Sequence, residues 1–246
     1  MRPPVTVCMA TFNGARHLKD QIDSILAQLE AVDELLIVDD CSTDDTLNVI
    51  NGYHDPRIKL VVHQENRRHV KSFGDALAAA SNRTILLTDQ DDVWTNGRLN
   101  FLVSSLTRHN ALLVSSIYEC MTENGDVIAG SISRLPSAYS SRHMANILNI
   151  FLGRMSYFGC TMALDSDLLK TALPIPDFVE SHDLWLAMIA NLRGRNRHEE
   201  NVTVMRRIHS ANLTPARRRS LLKVLRTRIY FLASIAIILK RLAKNS

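Results

Sequence analysis

The stretch LLTDQDDVWTNG, residues 86–97, places Asp89, Asp91 and Asp92 directly behind an apolar run and just ahead of Trp94. That run, RTILLTD (83–89), has the length and apolar density of a strand buried on both faces. Like charges a few ångströms apart repel one another or take up protons unless something cationic lies between them. Carboxylates gathered at the end of a buried strand therefore point to a bound cation.

Working outward, VTVCMAT (5–11), ELLIVDD (34–40) and IKLVVH (58–63) are further strand-like runs. Helical spacing fills the gaps between them. ARHLKDQIDSILAQL (15–29) puts Leu18, Ile22, Ile25, Leu26 and Leu29 on one face, and VKSFGDALAAAS (70–81) is a second such stretch. Ser42 to Asp44 offer N-caps to a helix carrying Leu47 and Ile50. Strict alternation implies crossover connections, hence an α/β fold with a mostly parallel, Rossmann-like sheet flanked by helices. In such sheets ligands bind outside the carboxyl ends of the strands. Thr11 and Asn13 follow the first strand, Asp39 and Asp40 end the second, and Asp89 and Asp91 end the fourth, so one acidic cleft is expected. Hard oxygen ligands favour Mg2+ or Mn2+, which keep water and substrate phosphates in their shell.

The 246 residues, 46% apolar and 22% charged, suffice for one large or two small domains with an ample core. Cys8, Cys41, Cys120 and Cys160 are widely separated, which suits reduced thiols in a cytosol. The N-terminus turns polar within a few residues, unlike a signal peptide. The net charge of +4 is unevenly placed: 11 of the 29 Lys/Arg and none of the 25 Asp/Glu fall in residues 201–246. Within this basic end the apolar segment Ile229 to Leu239 is 11 residues long, too short to span a bilayer, which takes about 20. Flanked by Arg226, Arg228, Lys240, Arg241 and Lys244, it reads as a basic C-terminal helix lying on an anionic membrane surface. Packing on the domain is the plainer alternative. No aromatic residues are interleaved with the arginine cluster, and the acidic body repels phosphate, so nucleic acid is not expected as a partner.

MATFNGARHLKDQIDSILAQ, LLIVDDCSTDDT, ILLTDQDDVW, SHDLWLAMIA and RIHSANLT, in that order, resemble the family 2 glycosyltransferases, most closely the bacterial rhamnosyltransferase-like branch of cell-surface polysaccharide assembly. The resemblance covers roughly residues 4 to 214. It implies a GT-A domain over 1–214 with a basic amphipathic helical segment at 215–246. It also implies a nucleotide-diphosphate-sugar donor (dTDP-rhamnose or a UDP-sugar), a saccharide or lipid-linked saccharide acceptor, a divalent metal and inversion at the anomeric carbon. The expected location is cytoplasmic, peripheral on the inner face of the cell membrane. The oligomeric state is left open.

Carried over residue by residue, the resemblance places Thr11, Asn13, Asp39 and Asp40 at the nucleotide. A carboxylate there is a good acceptor for the N3–H of uracil or thymine. Asp89-Gln90-Asp91 matches the DxD signature, with Asp91 the metal ligand and Asp89 at the ribose or metal shell. Asp92 ranks lower, as a helix-start charge. Trp94 is expected as a wall of the cleft or core. Gly159 is expected on the sugar-binding floor, and the His182–Asp183 pair matches the motif whose Asp is the catalytic base. Arg207 and His209, from the R-x-H-x-x-N segment, are expected over the diphosphate or metal. Arg206 stands where this branch more often has an aromatic residue.

Two other readings are weaker. A Mg2+-dependent phosphohydrolase would want a nucleophilic Asp after the first strand, which instead ends in Thr11, Phe12 and Asn13, and no GxxxxGK[ST] segment is present. A catalytically inactive sugar-nucleotide-binding membrane module has no reason to keep both a metal ligand and a base.

Overall fold

The computed structural model describes residues 2–209 and 221–245. In chain order the elements are β1 (Val5–Thr11), α1 (Ala15–Leu26), β2 (Glu34–Asp39), α2 (Thr46–Asn51), β3 (Ile58–Val62), α3 (His69–Ala79), β4 (Thr84–Thr88), β5 (Val93–Trp94), α4 (Arg98–Arg108), β6 (Leu113–Met121), α5 (His143–Leu152), β7 (Met162–Asp165), α6 (Leu169–Ala172), α7 (His182–Leu192), β8 (Asn196–Arg207) and α8 (Leu221–Asn245). Eight strands form one sheet in the order β3-β2-β1-β4-β7-β6-β8-β5. The half from β3 to β4 is all parallel. β7 runs antiparallel to both β4 and β6, and β5 antiparallel to β8, while β6 and β8 are parallel.

Both faces of the sheet are covered, and the side-chain period of two explains how. Val5, Val7 and Met9 of β1, with Leu35 and Ile37 of β2, pack on Leu18, Ile22 and Ile25 of α1 and Leu99 and Leu102 of α4. Cys8, Leu36 and Val38 point the other way, toward Phe73 and Leu77 of α3 and Trp185, Leu186 and Ile189 of α7. Each fully buried Leu or Ile contributes about 1.5–3 kcal/mol. The expected strand IKLVVH is less buried than its composition suggests. β3 is the sheet edge, and Val61 and Val62 are exposed.

α8 is held on the domain by Ile238 and Ser234, both buried, and by Arg241, whose guanidinium donates to the carbonyls of Thr171, Ala172 and Pro174. Arg226 pairs with Glu180 at 2.9 Å. Among the described residues no helix is long and apolar enough to cross a membrane. The boundary expected at 214/215 lies outside the described residues.

The turn after β2 serves two helices. Asp45 occupies the N-cap position of α2 with no side-chain cap bond, but Asp44 Oδ1 accepts from the Thr46 N–H, the first of that helix, at 3.0 Å. Asp44 and Thr46 also cap the neighbouring helix: the Ala15 N–H donates to Asp44 Oδ2 at 3.2 Å and the Gly14 N–H to Thr46 Oγ1 at 2.9 Å. The loops after β1 and β2 are thereby locked together. Asp44→Ala should cost about 1 kcal/mol, the usual loss of a cap, and lower the thermal midpoint by about 2–4 °C in a chain of this size. Calorimetry or a thermal melt would check this.

Candidate active site

The carboxyl ends of β1, β2 and β4 lie side by side. Thr11 is paired with Asp39 and Met9 with Thr88, so Asp39 and the turn after β4 are two strand spacings apart, about 10 Å. Asp39 is buried and already occupied: Oδ1 accepts from the Ser42 N–H (2.9 Å), and Oδ2 from the hydroxyls of Ser42 (2.5 Å) and Thr11 (3.2 Å). Asp40 turns away from this loop, accepting from the Arg67 N–H (2.8 Å) and facing His63 Nδ1 (2.9 Å). Asn13, in the left-handed region (φ 48°), donates its N–H to Ser42 Oγ and accepts from the Thr43 N–H. Of the four residues expected at the nucleotide, Thr11, Asp39 and Asp40 are buried and bonded within the protein, whereas Asn13 lies on a rim made of exposed Phe12 and Asn13 facing half-buried Ser42 and exposed Thr43.

The turn after β4 is pinned from three sides. Gln90, the middle residue of DxD, accepts from the Phe12 N–H (2.8 Å) and donates to the Phe12 carbonyl (3.2 Å). Gln21 of α1, fully buried, donates to the carbonyl of Asp89 at 2.7 Å. Arg207, also buried, donates to the carbonyls of Asp91 (3.1 Å) and Glu123 (2.7 Å) and to Asp20 Oδ2 (2.9 Å). Arg207 is thereby a bolt behind the turn. Trp94 is likewise core: its ring is buried under Arg98, and its Nε1–H donates to Thr88 Oγ1 at 3.0 Å.

The acidic groups converge. Burial, then the charges of Asp91 and Asp183, push the Asp89 carboxyl up to about 7, against a smaller pull downward from Arg206. Asp92 is 1% exposed, and its carboxyl is pushed well above the usual range by burial and by the charges of Asp89 and Asp91. It is no helix-start charge, since α4 begins only at Arg98. Its Oδ1 accepts from the Arg207 N–H at 3.1 Å. His209 Nε2 lies 2.7 Å from Asp91 Oδ2. Ser210 to Thr214, the remainder of the motif that includes His209, lie outside the described residues.

Asp183 sits in the first turn of α7, where the helix dipole favours negative charge. The Ser181 hydroxyl donates to its Oδ1 and the Gly159 N–H to its Oδ2 at 3.3 Å. Its neighbour His182 is buried and stacked on Phe73 at 4.1 Å. Burial lowers the His182 pKa to about 4, partly offset by Asp183, so the ring is neutral. It lies beneath Gly159, where an added Cβ would meet His182 Nε2 at 2.7 Å. Only glycine leaves room for the imidazole there.

A divalent cation fits these residues. Several crowded carboxyls, two of them driven toward the protonated form, are what a cation would relieve. Among the described residues, Asp89, Asp92 and Cys160 bring their ligand atoms within 4.8 Å of one another. The Cys160 thiol is pushed well up by burial and by Asp92 and Asp89, so it does not offer a thiolate. The donors left in that group are the carboxylate oxygens of Asp89 and Asp92, hard ligands of the kind Mg2+ and Mn2+ take, and Asp91 with His209 adds a carboxylate and an imidazole beside them.

Sequence reasoning missed Gln21, Gln90, Cys160 and the burial of Asp92. Gln21 had a signal: it shares a helical face with Leu18, Ile22 and Ile25, and a polar side chain there must find a buried partner. Arg206 was noted only as a departure. It lies over Tyr118 (5.2 Å) and Phe158 (5.4 Å), and its charge reaches Asp89 and Asp92.

A mostly parallel sheet flanked by helices, with acidic residues gathered at the carboxyl ends of its strands, is the architecture of the GT-A fold. Residues 6–171 match the sequence model described as Glycosyl transferase family 2, and the chain belongs to that family. Over 188 residues it is 28% identical to the Escherichia coli UDP-Glc:alpha-D-GlcNAc-diphosphoundecaprenol beta-1,3-glucosyltransferase WfgD, covering 75% of this chain and 69% of that one. It is 29% identical over 126 residues to the putative teichuronic acid biosynthesis glycosyltransferase TuaG of Bacillus subtilis, covering 50% of each. Staphylococcus aureus TarS 1–349, solved in complex with UDP-GlcNAc, superposes with a TM-score of 0.70 at 18% identity, over 97% of this chain and 71% of that one, a likeness of fold.

Gly159→Ala should displace His182 and with it the amide held against Asp183, costing about 1–3 kcal/mol of stability and most of the activity. A melt and a turnover assay on the same sample would check both. Because a cation must displace the proton that Asp89 carries below about pH 7, Mn2+ affinity should fall by up to about tenfold per unit as pH drops below that value. Calorimetric titration at stepped pH would measure it.

Proposed function

We propose that the protein is an inverting, metal-dependent glycosyltransferase. It moves a sugar from a nucleotide-diphosphate donor to a saccharide or lipid-linked saccharide in cell-surface polysaccharide synthesis, at the inner face of the cell membrane. Residues 1–214 form the catalytic unit, and 215–246 the basic helix that α8 represents, lying against anionic lipid. One observation carries the reading: Asp89 and Asp92 bring their ligand atoms within 4.8 Å of the Cys160 thiol, and the amide of the adjoining Gly159 donates to Asp183, so the turn after β4 and the first turn of α7 lie close together.

The nucleoside lies on the rim formed by Phe12–Asn13 and Ser42–Thr43, with Thr11 and Asp39 holding that rim in shape and Asp40 fixing the adjoining Arg67 and His63. Asp91 and His209, with Asp89, hold Mg2+ or Mn2+. The ion supplies positive charge that offsets the charge growing on the departing diphosphate. Asp183 takes the proton from the acceptor hydroxyl as that oxygen bonds to the sugar C1 and the bond from C1 to the diphosphate oxygen breaks. Attack from the face opposite the leaving group inverts the anomeric centre. The Ser181 hydroxyl and Gly159 N–H fix the orientation of Asp183 for that transfer, above the floor that Gly159 and His182 form. Of the two donors the sequence leaves open, WfgD's name, with its UDP-Glc, favours a UDP-sugar over dTDP-rhamnose.

The test is nucleoside diphosphate release with and without acceptor, and with and without EDTA. Asp183→Asn should lower kcat by about 10²–10⁴, the usual contribution of a general base, while leaving donor affinity intact; full activity would refute the base. Asp91→Ala should abolish both activity and its stimulation by Mn2+. Release of phosphate from simple esters would instead favour a hydrolase. In a thermal-shift panel with Mn2+, UDP-sugars should stabilise the protein more than dTDP- or GDP-sugars.

A further inference from the structure

The packing of α8 onto the domain leaves one of its sides bare. Leu222, Leu225, Ile229, Leu232 and Leu239 are exposed, Leu222 at 81%, and their spacing of three, four, three and seven residues lines them along one stripe. A second stripe lies on α5, where Met144, Leu148 and Leu152, at intervals of four residues, are exposed, Met144 at 69%. The helices touch: Phe151 and Phe231 lie 5.3 Å apart, and the Arg228 guanidinium sits 5.2 Å over the Phe151 ring. Leu152 and Leu232 are the immediate chain neighbours of that aromatic pair. An apolar area of this kind on two adjacent helices is a docking surface rather than scattered exposure.

We propose that α5 and α8 together form a platform that seats the protein on an anionic phospholipid bilayer, an inference that rests on the membrane role given above to α8 alone. Charge selects the occupant. Every charged residue of α8 is cationic, Lys223, Arg226, Arg228, Lys240, Arg241 and Lys244, and Arg142 and Arg154 bracket α5. A lipid surface with negative headgroups accepts apolar side chains and flanking cations together. A second copy of this chain does not. Pairing the α8 stripe with itself brings the cations flanking it, Arg228 and Lys240 among them, onto a surface of the same sign, with no acid in residues 201–246 to offset them.

The platform also touches the catalytic side of the fold. Arg226 pairs with Glu180, and Tyr230 lies 5.6 Å from Phe178, so α8 braces the loop that leads directly into Ser181 and Asp183. A membrane-borne acceptor would thus reach the base from the side on which the protein is seated.

The experiment is co-sedimentation of the full chain with phosphatidylglycerol or phosphatidylcholine vesicles, using the wild type, Met144→Glu/Leu148→Glu and Leu225→Glu/Leu232→Glu, with sedimentation velocity in the absence of lipid. Wild type should bind the anionic vesicles only, and each double variant should lose at least about tenfold in binding while remaining folded by circular dichroism. If the α8 variant detaches and the α5 variant binds like wild type, the two-helix platform is overturned and the role of α8 alone stands. If wild type ignores anionic vesicles, or is a dimer that Leu225→Glu/Leu232→Glu makes monomeric, the platform is overturned outright. Donor turnover with a soluble acceptor, expected to be unchanged in both variants, reads the catalytic reading separately from the docking.

Discussion

Mutual repulsion among carboxyl groups is the constraint around which this molecule is arranged. Two unit charges 4 Å apart at an effective dielectric constant of 20 repel by about 4 kcal/mol, and a whole domain is stable by only about 5–15 kcal/mol. Asp89, Asp91, Asp92 and Asp183 share one region, so the fold tolerates them only through proton uptake, nearby guanidinium groups or a bound cation. The first is visible in the raised carboxyls of Asp89 and Asp92, and the second in Arg98 and Arg206, whose charges reach the same cluster. A site poised in this way gains most from a ligand that brings a divalent ion with it.

The cost of holding such groups in place is met by close packing. His182 fills the volume that a side chain at Gly159 would need, and Phe73 supports it from below. The imidazole is neutral, so it adds no charge to an already crowded region while fixing the height of the α7 N-terminus. On the other side, Gln90 ties the turn after β4 to the loop after β1 through both backbone groups of Phe12. The middle position of DxD, open to any residue in the motif, thus carries a specific structural task here.

Much of the fold was legible because β1, β2 and β4 are buried runs bounded by polar turns, and α1 has an unbroken apolar face. The placing of Asp39, Asp40, Asp89 and Asp91 was legible for the same reason, since they close neighbouring strands of a parallel sheet, whereas Asp183, in the first turn of α7, was singled out only by the family resemblance. The second half was harder. β8, NRHEENVTVMRR, is too polar to advertise itself as a strand, and although SYFGCTMALDSDLL (156–169) reads as a short strand and turn leading to a helix, nothing in it says that β7 runs antiparallel between β4 and β6. Buried roles for charged residues were misjudged most: Arg207, Asp92 and Asp40 look like surface or ligand groups until their partners are seen. Charge alone does not say whether a side chain faces solvent or satisfies a buried backbone carbonyl.

Arg207 joins α1 through Asp20, the DxD turn through the Asp91 carbonyl, and the end of β6 through the Glu123 carbonyl, while its own amide is held by Asp92. Three segments distant in sequence are thereby made into a single stiff body behind the cleft. The rim across from it is tied by contacts of its own, from Asn13 to Ser42 and Thr43, from Gln90 to Phe12, and from the Gly14 and Ala15 amides to Thr46 and Asp44, so both sides hold their shape before any substrate arrives.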